Sequence, residues 1–168
     1  MKDKLNALIS VYDKSNLDKI AAYLNTLNCN IISTGGTYKY LSKLNLNNLQ
    51  KVSDITQSPE ILDGRVKTLH PVIHGGILAK RDNQKHMSEI KNIPGILIDI
   101  VICNLYPFEE TLKNKKSTEN EIIEMIDIGG PTMIRAAAKN YQSVLTIVDP
   151  DDYKLLSNSA TNPSSIDD

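Results

Sequence analysis

The segment LIDIVICNLYP, residues 97–107, decides the fold that the sequence predicts. Residues 97–105 are mostly apolar and include three isoleucines and a valine, which is typical of a buried β-strand. A strand that is apolar on both faces belongs to a parallel sheet with helices on both sides. Asn104 and Tyr106 follow at its carboxyl end, where ligands bind in such sheets, and are candidates to orient a ligand or stabilise an oxyanion. The alternative is a strand-end turn with a half-buried tyrosine.

Strands and helices alternate on both sides of this segment. Further strands are predicted at residues 5–11, 30–33, 49–52 and 143–148. Helices are predicted at residues 14–27, 37–44, 58–63, 87–91, 118–126 and 131–140, with Asp13 as the first N-cap and a capping box of Thr118 and Glu121. Residues 64–80 are predicted to be irregular. This order predicts an α/β fold of three layers built on a mostly parallel sheet.

The length and composition of the chain fit one domain. Of its 168 residues, 40% are hydrophobic, which is enough for a single core. We expect a domain over residues 1–156, followed over residues 157–168 by a small, polar segment that is a disordered tail or a truncated linker. Cys29 and Cys103 lie in apolar runs and are predicted to be buried thiols rather than a disulfide.

The charge balance argues against two classes of partner. Nineteen Lys and Arg residues face twenty Asp and Glu residues, so the formal net charge is -1. This balance provides no basic field for nucleic acid and no cationic face for a membrane. No apolar run approaches the ~20 residues of a membrane span, and none forms a signal peptide. The sequence therefore predicts a soluble, cytoplasmic protein without nucleic-acid or membrane partners.

Two loops at the predicted carboxyl edge of the sheet indicate an anion site. Residues 33–37, STGGT, follow a strand and open a helix, so free amides and hydroxyls are expected to converge at the positive end of a helix dipole. Lys14 is predicted in the first turn of another helix, where a cation costs ~0.3 to 1 kcal/mol unless an anion lies nearby. The alternative is a plain turn with Lys14 in water. The absence of G-x-G-x-x-G and Walker loops disfavours NAD and ATP and favours a single phosphate.

The segment GRVKTLHP, residues 64–71, is a second polar cluster. It carries Arg65, Lys67 and His70 on one predicted loop, which indicates a polar ligand. The alternative is a solvated loop in which Arg65 pairs with a nearby carboxylate. His70 and His74 are four residues apart, but no third ligand lies near them in sequence, so no metal site is predicted.

A third polar segment, residues 127–130, precedes the predicted helix 131–140. Arg135 and Lys139 lie four residues apart on this helix, a like-charge pairing that a bound anion would relieve. Crowding among cations and apolar groups favours proton transfer by a lysine, so Lys139 is a candidate acid or base. The alternative is that the alanines around it serve only close helix packing.

Five blocks of the sequence together resemble a known family. They are ALISVYDKSNL (7–17), STGGTYKYL (33–41), GRVKTLHPVIHGGILAKR (64–81), VICNLYPFEET (101–111) and IDIGGPTMIRAAAKN (126–140). In this order they resemble the IMP cyclohydrolase domain of the bifunctional AICAR transformylase/IMP cyclohydrolase family, over about residues 5–155. The resemblance implies a methylglyoxal-synthase-like fold. It also implies a cofactor-free ring closure in which 5-formamidoimidazole-4-carboxamide ribotide loses water to give inosine monophosphate (IMP).

By motif position, the resemblance assigns site residues to this chain. The phosphate would be held near Ser10, Tyr12, Asp13, Lys14, Thr34, Gly35, Gly36 and Thr37. Arg65, Lys67 and Thr68 would line the base and ribose, and Val66 is a further substrate-binding residue. Cys103 and Asn104 would lie beside the reacting groups, and Tyr106, Asp127, Ile128 and Gly129 would complete the pocket. The catalytic set would be Lys67, Asn104, Tyr106, Asp127 and Lys139, with Lys139 as the principal proton donor or acceptor.

The chemistry of the implied reaction suggests roles for this catalytic set. Lys67 and Asn104 are expected to meet the oxyanion, and Asp127 is expected to orient or deprotonate the carboxamide. Lys139 or Tyr106 would then shuttle protons.

The chain departs from the family in two respects. Tyr12 replaces the usual serine, so we expect a backbone contact to the phosphate there rather than a side-chain contact. The larger transformylase domain is absent, and folate would serve only that domain. The resemblance further implies that the intact protein is a homodimer whose partners are a purine nucleotide substrate and product.

Two other functions fit the same predicted fold. One is a non-catalytic regulatory module that senses phosphorylated metabolites, for which the anion site alone would be enough. The other is methylglyoxal synthase, which acts on a triose phosphate. The joint presence of Lys67, Asn104, Asp127 and Lys139 favours the cyclohydrolase.

Overall fold

All five predicted strands pair in one sheet of the structure, a computed structural model that describes residues 4–159. The strands are β1 (Asn6–Ser10), β2 (Asn30–Ser33), β3 (Leu49–Lys51), β4 (Ile100–Cys103) and β5 (Leu145–Ile147). Their order is β3-β2-β1-β4-β5, and every pairing in the sheet is parallel. The predicted α/β fold is therefore confirmed, with a sheet that is wholly rather than mostly parallel.

Helices connect successive strands, as a parallel sheet requires. Those within the described residues are α1 (Leu17–Thr26), α2 (Gly35–Leu41), α3 (Val52–Thr56), α4 (Pro71–Leu78), α5 (Gln84–Lys91), α6 (Phe108–Lys113), α7 (Glu119–Glu124), α8 (Gly129–Lys139) and α9 (Tyr153–Ser159). Short 3-10 turns lie at Leu62–Gly64 and Pro150–Asp152. The predicted capping box is confirmed: the Thr118 hydroxyl accepts from the Glu121 amide, and the Glu121 carboxylate accepts from the Thr118 amide.

The alternation of side chains along β1 explains the three layers. Ala7 and Ile9 point to one face of the sheet, where they pack in a core with buried residues of α1 and α9. Leu8 points to the other face, into a second core with buried residues of α3, α4 and α8. Because both faces of the sheet are covered, the central strands β1 and β4 are apolar on both sides, as their sequences predict.

The prediction that residues 64–80 are irregular is wrong, because they contain α4. His70 caps this helix by accepting the Val72 amide at its Nδ1 (3.2 Å), and Pro71 occupies the first turn. Gly75 and Gly76 form no turn but lie inside the helix. Gly76 is there because the chain before β4 passes close by: a Cβ on Gly76 would lie 2.1 Å from the Ile96 carbonyl oxygen.

Other element predictions also need correction. The first helix begins at Leu17 rather than at residue 14, with Asn16 instead of Asp13 at the N-cap. Residues 58–63 form no α-helix and contribute only to the 3-10 turn. Three short helices, α3, α6 and α9, are not predicted; α6 contains no buried residue and hence no apolar stripe.

The end of the described chain bears on the predicted tail. Residues 157–159 belong to α9, which extends past the predicted domain end at residue 156, and residues 160–168 lie outside the described residues. The predicted tail or linker stays a prediction. Among residues 4–159, no helix combines the length and the apolar character needed to cross a membrane.

Candidate active site

A cleft of about 620 Å³ opens at the carboxyl ends of β1 and β4. These strands are neighbours, yet the chain leaves β1 towards β2 and leaves β4 towards β5. This is the switch point at which parallel α/β sheets bind ligands. Most of the predicted site residues line the cleft: Ser10, Tyr12, Lys14, Thr34, Gly36, Thr37, Arg65, Lys67, Thr68, Asn104, Tyr106, Asp127, Ile128 and Gly129.

Asn104 joins the two strands of the switch point. Its Oδ1 accepts from the amides of Tyr12 (2.6 Å) and Asp13 (2.9 Å), and its Nδ2 donates to the Asp13 carbonyl (2.9 Å). All three hydrogen bonds of the side-chain amide thus join Asn104 to the loop after β1. Asn104 is therefore a brace for the loop that carries Lys14. One hydrogen of its Nδ2 is not used in these bonds, so the expected contact with an oxyanion stays a prediction.

Lys14 lies on this braced loop, ahead of α1 rather than in its first turn. The helix-dipole argument for Lys14 is therefore wrong, although the side chain does line the cleft. Its Nζ donates to the Tyr12 carbonyl at 3.0 Å. Asp13 does not line the cleft. Its Oδ1 accepts the Ser15 amide (2.8 Å), a hydrogen bond that stabilises the turn before α1.

Tyr12 takes part in an aromatic pair at the cleft. Its ring lies edge-on to Tyr106, with ring centroids 5.6 Å apart. Because its amide is bonded to Asn104, the expected backbone contact between Tyr12 and a phosphate is wrong. Both phenol rings instead contribute surface to the cleft.

The loop after β2 is less open to an anion than the sequence predicts. The Thr34 hydroxyl donates to Glu60, and the Gly35 amide donates to the same carboxylate oxygen at 3.0 Å. The Thr37 hydroxyl donates to the Val11 carbonyl (3.0 Å), which ties α2 to the end of β1. Gly36 and Thr37 are left with backbone N–H groups that donate to no acceptor among the described residues.

The segment between α3 and α4 forms a closed loop. Ile61 and Val66 exchange backbone hydrogen bonds of 3.1 and 3.3 Å. Between them, Leu62, Asp63 and Gly64 have φ values of 54, 53 and 86°, in the left-handed region. Such geometry is uncommon for a leucine and reverses the chain within a few residues. Val66 is held in the backbone bridge and does not line the cleft, contrary to prediction.

Arg65 projects from this loop and pairs with Glu124 of α7. The pair is exposed, with 64% and 52% of the two side chains accessible, so it contributes little to stability. It does connect the 61–66 loop to α7 across the cleft. The sequence-based alternative pairs Arg65 with Asp63 or Glu60, whereas the structure pairs it with Glu124, a carboxylate far away in the chain.

Lys67 and Thr68 follow the loop and reach the cleft. A Cβ on Gly35 would lie 3.5 Å from the Lys67 Nζ, so the ammonium group lies beside the turn before α2. Lys67 makes no hydrogen bond or ion pair within the described residues. Thr68 is 2% exposed, and its Oγ1 would lie 2.9 Å from a Cβ on Gly129, which explains a glycine at the start of α8.

Asp127 lies at the amino end of α8. Its Oδ1 accepts the Gly130 amide at 2.7 Å, and the second carboxylate oxygen makes no further hydrogen bond within residues 4–159. Cys103 is buried beneath this turn and does not line the cleft, so the prediction that it lies beside the reacting groups is wrong. Burial, together with the nearby Asp127, raises the pKa of the Cys103 thiol to about 12, so the sulfur is a neutral thiol.

Lys139 does not lie with the other candidates. It is exposed in the last turn of α8, whereas Gly129, in the first turn, lines the cleft. Ten residues of helix separate the two by about 15 Å along the axis. Lys139 therefore does not line the cleft that Lys67 and Asp127 line, and its expected role as proton donor or acceptor stays a prediction.

Sequence reasoning missed several residues that line the cleft, most of them apolar. Residues that line it without having been predicted include Asp63, Gly64, Leu69, Ile123, Met125, Ile126 and Met133. Ile123 and Ile126 are also 45% and 56% exposed. Ile123 lies on α7, which has no buried residue, and Ile126 follows that helix. Isoleucines left exposed in this way are a signal that a ligand face lies nearby, but only the structure reveals that exposure.

Gly35 lines an adjoining cavity of about 630 Å³ rather than the cleft. The cavity and the cleft share Thr34, Gly36, Asp63, Gly64 and Lys67. The turn between β2 and α2 therefore separates two open volumes.

Comparison with known proteins identifies relatives of the chain. The MGS-like domain model matches residues 16–132. Curated relatives named bifunctional purine biosynthesis protein PurH include those of Caldicellulosiruptor bescii, 53% identical over 150 residues, and Thermoanaerobacter sp. (strain X514), 59% identical over 147 residues. The alignments cover 89% and 88% of this chain but 29% of each relative.

A solved structure supports the same relationship. The crystal structure of ForH superposes with a TM-score of 0.77 and 34% sequence identity, covering 98% of this chain and 85% of that chain. Fold, family model and curated relatives agree, and the cleft lies where this fold binds ligands. The chain belongs to the MGS-like domain family and is a relative of the PurH proteins.

Proposed function

We propose that this chain is an IMP cyclohydrolase, which closes the purine ring of 5-formamidoimidazole-4-carboxamide ribotide with loss of water. The name of the PurH relatives supports a role in purine biosynthesis. The single observation that carries the cyclohydrolase assignment is the composition of the cleft. Lys14 and the amides after β2 line one part of it, while Lys67, Thr68, Asp127 and the start of α8 line another.

The phosphate of the ribotide would bind near the loops after β1 and β2. Lys14 supplies the cation, and the amides of Gly36 and Thr37 are free to donate. The Ser10 side chain also lines the cleft and makes no hydrogen bond within the described residues. The proposal therefore rests on one ammonium group, two amides and one hydroxyl, rather than on the hydroxyls of Thr34 and Thr37.

The reaction needs little beyond positioning. The carboxamide nitrogen attacks the formyl carbon of the same molecule, so a new C–N bond forms without a second substrate. Holding the two groups in contact can supply ~7 to 11 kcal/mol of a barrier. The carboxamide nitrogen loses one hydrogen as the C–N bond forms, and the formamido nitrogen loses the other as it forms the C=N bond of the ring. The formyl oxygen becomes negative, takes up both protons and leaves as water.

Three groups in the cleft are suited to move these protons. Lys67 carries an unpaired ammonium that can stabilise the oxyanion and donate a proton. The free oxygen of Asp127 can accept the carboxamide proton, and the Tyr106 phenol lines the same cleft. Lys139 has no direct part in this mechanism, since the first and last turns of α8 lie too far apart.

The test is a direct assay of the 168-residue chain with the formylated ribotide, following IMP by absorbance and chromatography. We expect IMP to form at a rate proportional to enzyme and without added folate or metal. Binding of IMP with no product would support a metabolite sensor instead. Methylglyoxal formed from dihydroxyacetone phosphate would support the synthase.

A further inference from the structure

Glu60 lies next to the cleft but does not line it. It lines the adjoining cavity, and it immediately precedes the closed loop 61–66. None of the roles considered above for the reaction involves Glu60. Its contacts nevertheless connect two parts of the proposed site.

The first connection is to the turn between β2 and α2. One carboxylate oxygen of Glu60 accepts both the Thr34 hydroxyl and the Gly35 amide (3.0 Å). Gly35 has a φ of +56°, a conformation that other residues rarely adopt. Because Thr34 is buried, its hydroxyl must find a partner, and Glu60 provides it across 26 residues of sequence.

The second connection is to Lys67. The Lys67 ammonium lies beside Gly35, the residue whose amide Glu60 accepts. Burial by itself would raise the pKa of Glu60, but the hydrogen bonds from Thr34 and Gly35 and the charges of Lys67 and Lys39 lower it below the usual value. The carboxylate is therefore ionised at neutral pH, and the charge of Lys67 acts on it without a direct ion pair.

The other nearby carboxylates have different partners or none at this turn. Glu124 pairs with Arg65, and Asp127 accepts the Gly130 amide. Glu60 is thus the carboxylate that holds the turn, and it does so from the side opposite the cleft.

We propose that Glu60 is a positioning residue: its carboxylate clamps the Thr34–Gly35 turn to the loop that leads to Lys67. This inference rests on the proposed function, because a ribotide must be gripped at its phosphate while its base meets Lys67. The clamp sets the spacing between the two parts of the cleft. Reaction within one molecule is sensitive to such spacing, since the reacting atoms must be held about 3 to 3.5 Å apart.

Two variants of Glu60 separate clamping from general loss of structure. Glu60→Gln keeps an oxygen that can accept both hydrogen bonds, whereas Glu60→Ala removes it. We expect Glu60→Ala to raise KM for the ribotide about tenfold and to lower kcat, because a hydrogen bond to a charged group is lost at the turn. Glu60→Gln should restore KM to within about threefold of the wild type.

The matched control is Glu89→Gln, which removes the same charge from exposed α5, outside the cleft and the adjoining cavity. It should leave KM and kcat unchanged. Thermal melting of every variant checks that the fold is intact. Wild-type constants in Glu60→Ala, or equal impairment of Glu60→Gln and Glu60→Ala, would overturn the clamp.

A readout independent of turnover keeps this inference separate from the proposed function. In wild-type NMR spectra, the Gly35 amide proton should resonate downfield, as a proton bonded to a carboxylate does. It should move upfield in Glu60→Ala and return towards its original position in Glu60→Gln. An unmoved Gly35 amide would refute the clamp, whereas a wild-type protein that makes no IMP would refute the proposed function alone.

Discussion

Lys67 and Lys139 have opposite surroundings, and this difference carries the main prediction at the scale of single residues. Lys67 lies beside the Gly35 turn and lines the cleft, while Lys139 is exposed at the far end of α8. A group that stabilises a transition state must touch the reacting atoms. Of these two lysines, Lys67 lines the cleft and Lys139 does not.

We therefore expect Lys67→Met to lower kcat about a hundredfold or more, in the range typical of lost acid–base catalysis. Lys139→Met serves as the matched variant and should lower kcat much less. Initial rates at saturating ribotide measure both. An equal or greater loss in Lys139→Met would mean that Lys139 reaches the substrate after all.

Asn104 allows a second prediction, because its two possible roles affect different kinetic constants. As a brace, it fixes the loop that carries Lys14 through three hydrogen bonds of 2.6 to 2.9 Å. Asn104→Ala should then raise KM more than it lowers kcat, and should cost about 1 to 2 kcal/mol of unfolding free energy. Steady-state kinetics and urea denaturation measure these effects. A fall in kcat with unchanged KM would instead indicate contact with the oxyanion.

At the scale of elements, α4 shows how one helix meets the chain before β4. A Cβ on Gly76 would lie 2.1 Å from the Ile96 carbonyl oxygen, which is backbone. A Cβ on the neighbouring Gly75 would meet only the tip of the Ile90 side chain, at 3.1 Å. The two glycines therefore respond differently to the same substitution.

We expect Gly76→Ala to destabilise the protein by more than about 2 kcal/mol, since the backbone must shift. Gly75→Ala should stay within about 1 kcal/mol of the wild type, because Ala favours a helix and Ile90 can move. Urea denaturation of the two variants provides the comparison. Equal stabilities would contradict the packing of α4 described above.

His74, also on α4, predicts how stability depends on pH. Burial lowers the pKa of His74 below its usual value of 6.5, and its Nε2 is buried without a hydrogen-bond partner among residues 4–159. The unfolded chain therefore binds a proton more readily than the folded protein does. The stabilising contribution is complete above pH ~6.5 and is lost as the pH falls through this value towards the lower folded pKa.

Thermal melts between pH 7.5 and 5.5 test this prediction. As the pH is lowered, the melting temperature of the wild type should fall more steeply than that of His74→Gln, because glutamine does not titrate. Parallel curves for the two proteins would show that His74 is not linked to folding.

At the scale of the whole molecule, the sheet and the α6–α7 segment differ in how firmly they are held. The strands β1, β2 and β4 are buried on both faces, whereas neither α6 nor α7 contains a buried residue. The two helices pack against each other, and the exposed Arg65–Glu124 pair joins α7 to the 61–66 loop. Local unfolding is easiest where few apolar contacts are buried.

We therefore expect amide hydrogens of α6 and α7 to exchange much faster than those of β1 and β4. IMP should slow exchange in α7, since Ile123 and Glu124 line the cleft. Hydrogen exchange followed by mass spectrometry, with and without IMP, measures both effects. Protection of α6 and α7 equal to that of the sheet would contradict this account.

Several expectations stay predictions at this scale. The domain boundary at residue 156, the homodimer of the intact protein and the cytoplasmic location all concern more than the described residues. The chain spans about 29% of the length of its PurH relatives, so the activity and the nucleotide partners of the whole protein remain proposals as well.

The sequence alone predicted the strands, the three layers and the edge of the sheet that carries the cleft. Buried strands are short apolar runs, and their carboxyl ends share one edge in any parallel sheet, so both follow from local pattern and topology. Helices without an apolar stripe, such as α6, escaped this reasoning. So did α4, whose glycine pair resembles a turn until its close neighbour is known.

The tertiary structure alone decided which polar groups are free to act. Asn104, Thr34 and Thr37 each bond to residues at least 26 positions away in the chain, so no local pattern reveals that they are already engaged. It also decided that Lys67 faces the cleft while Lys139 does not. Hydrogen-bond partners and distances between distant segments are set by the packing of layers, and packing depends on the whole chain rather than on any one segment of it.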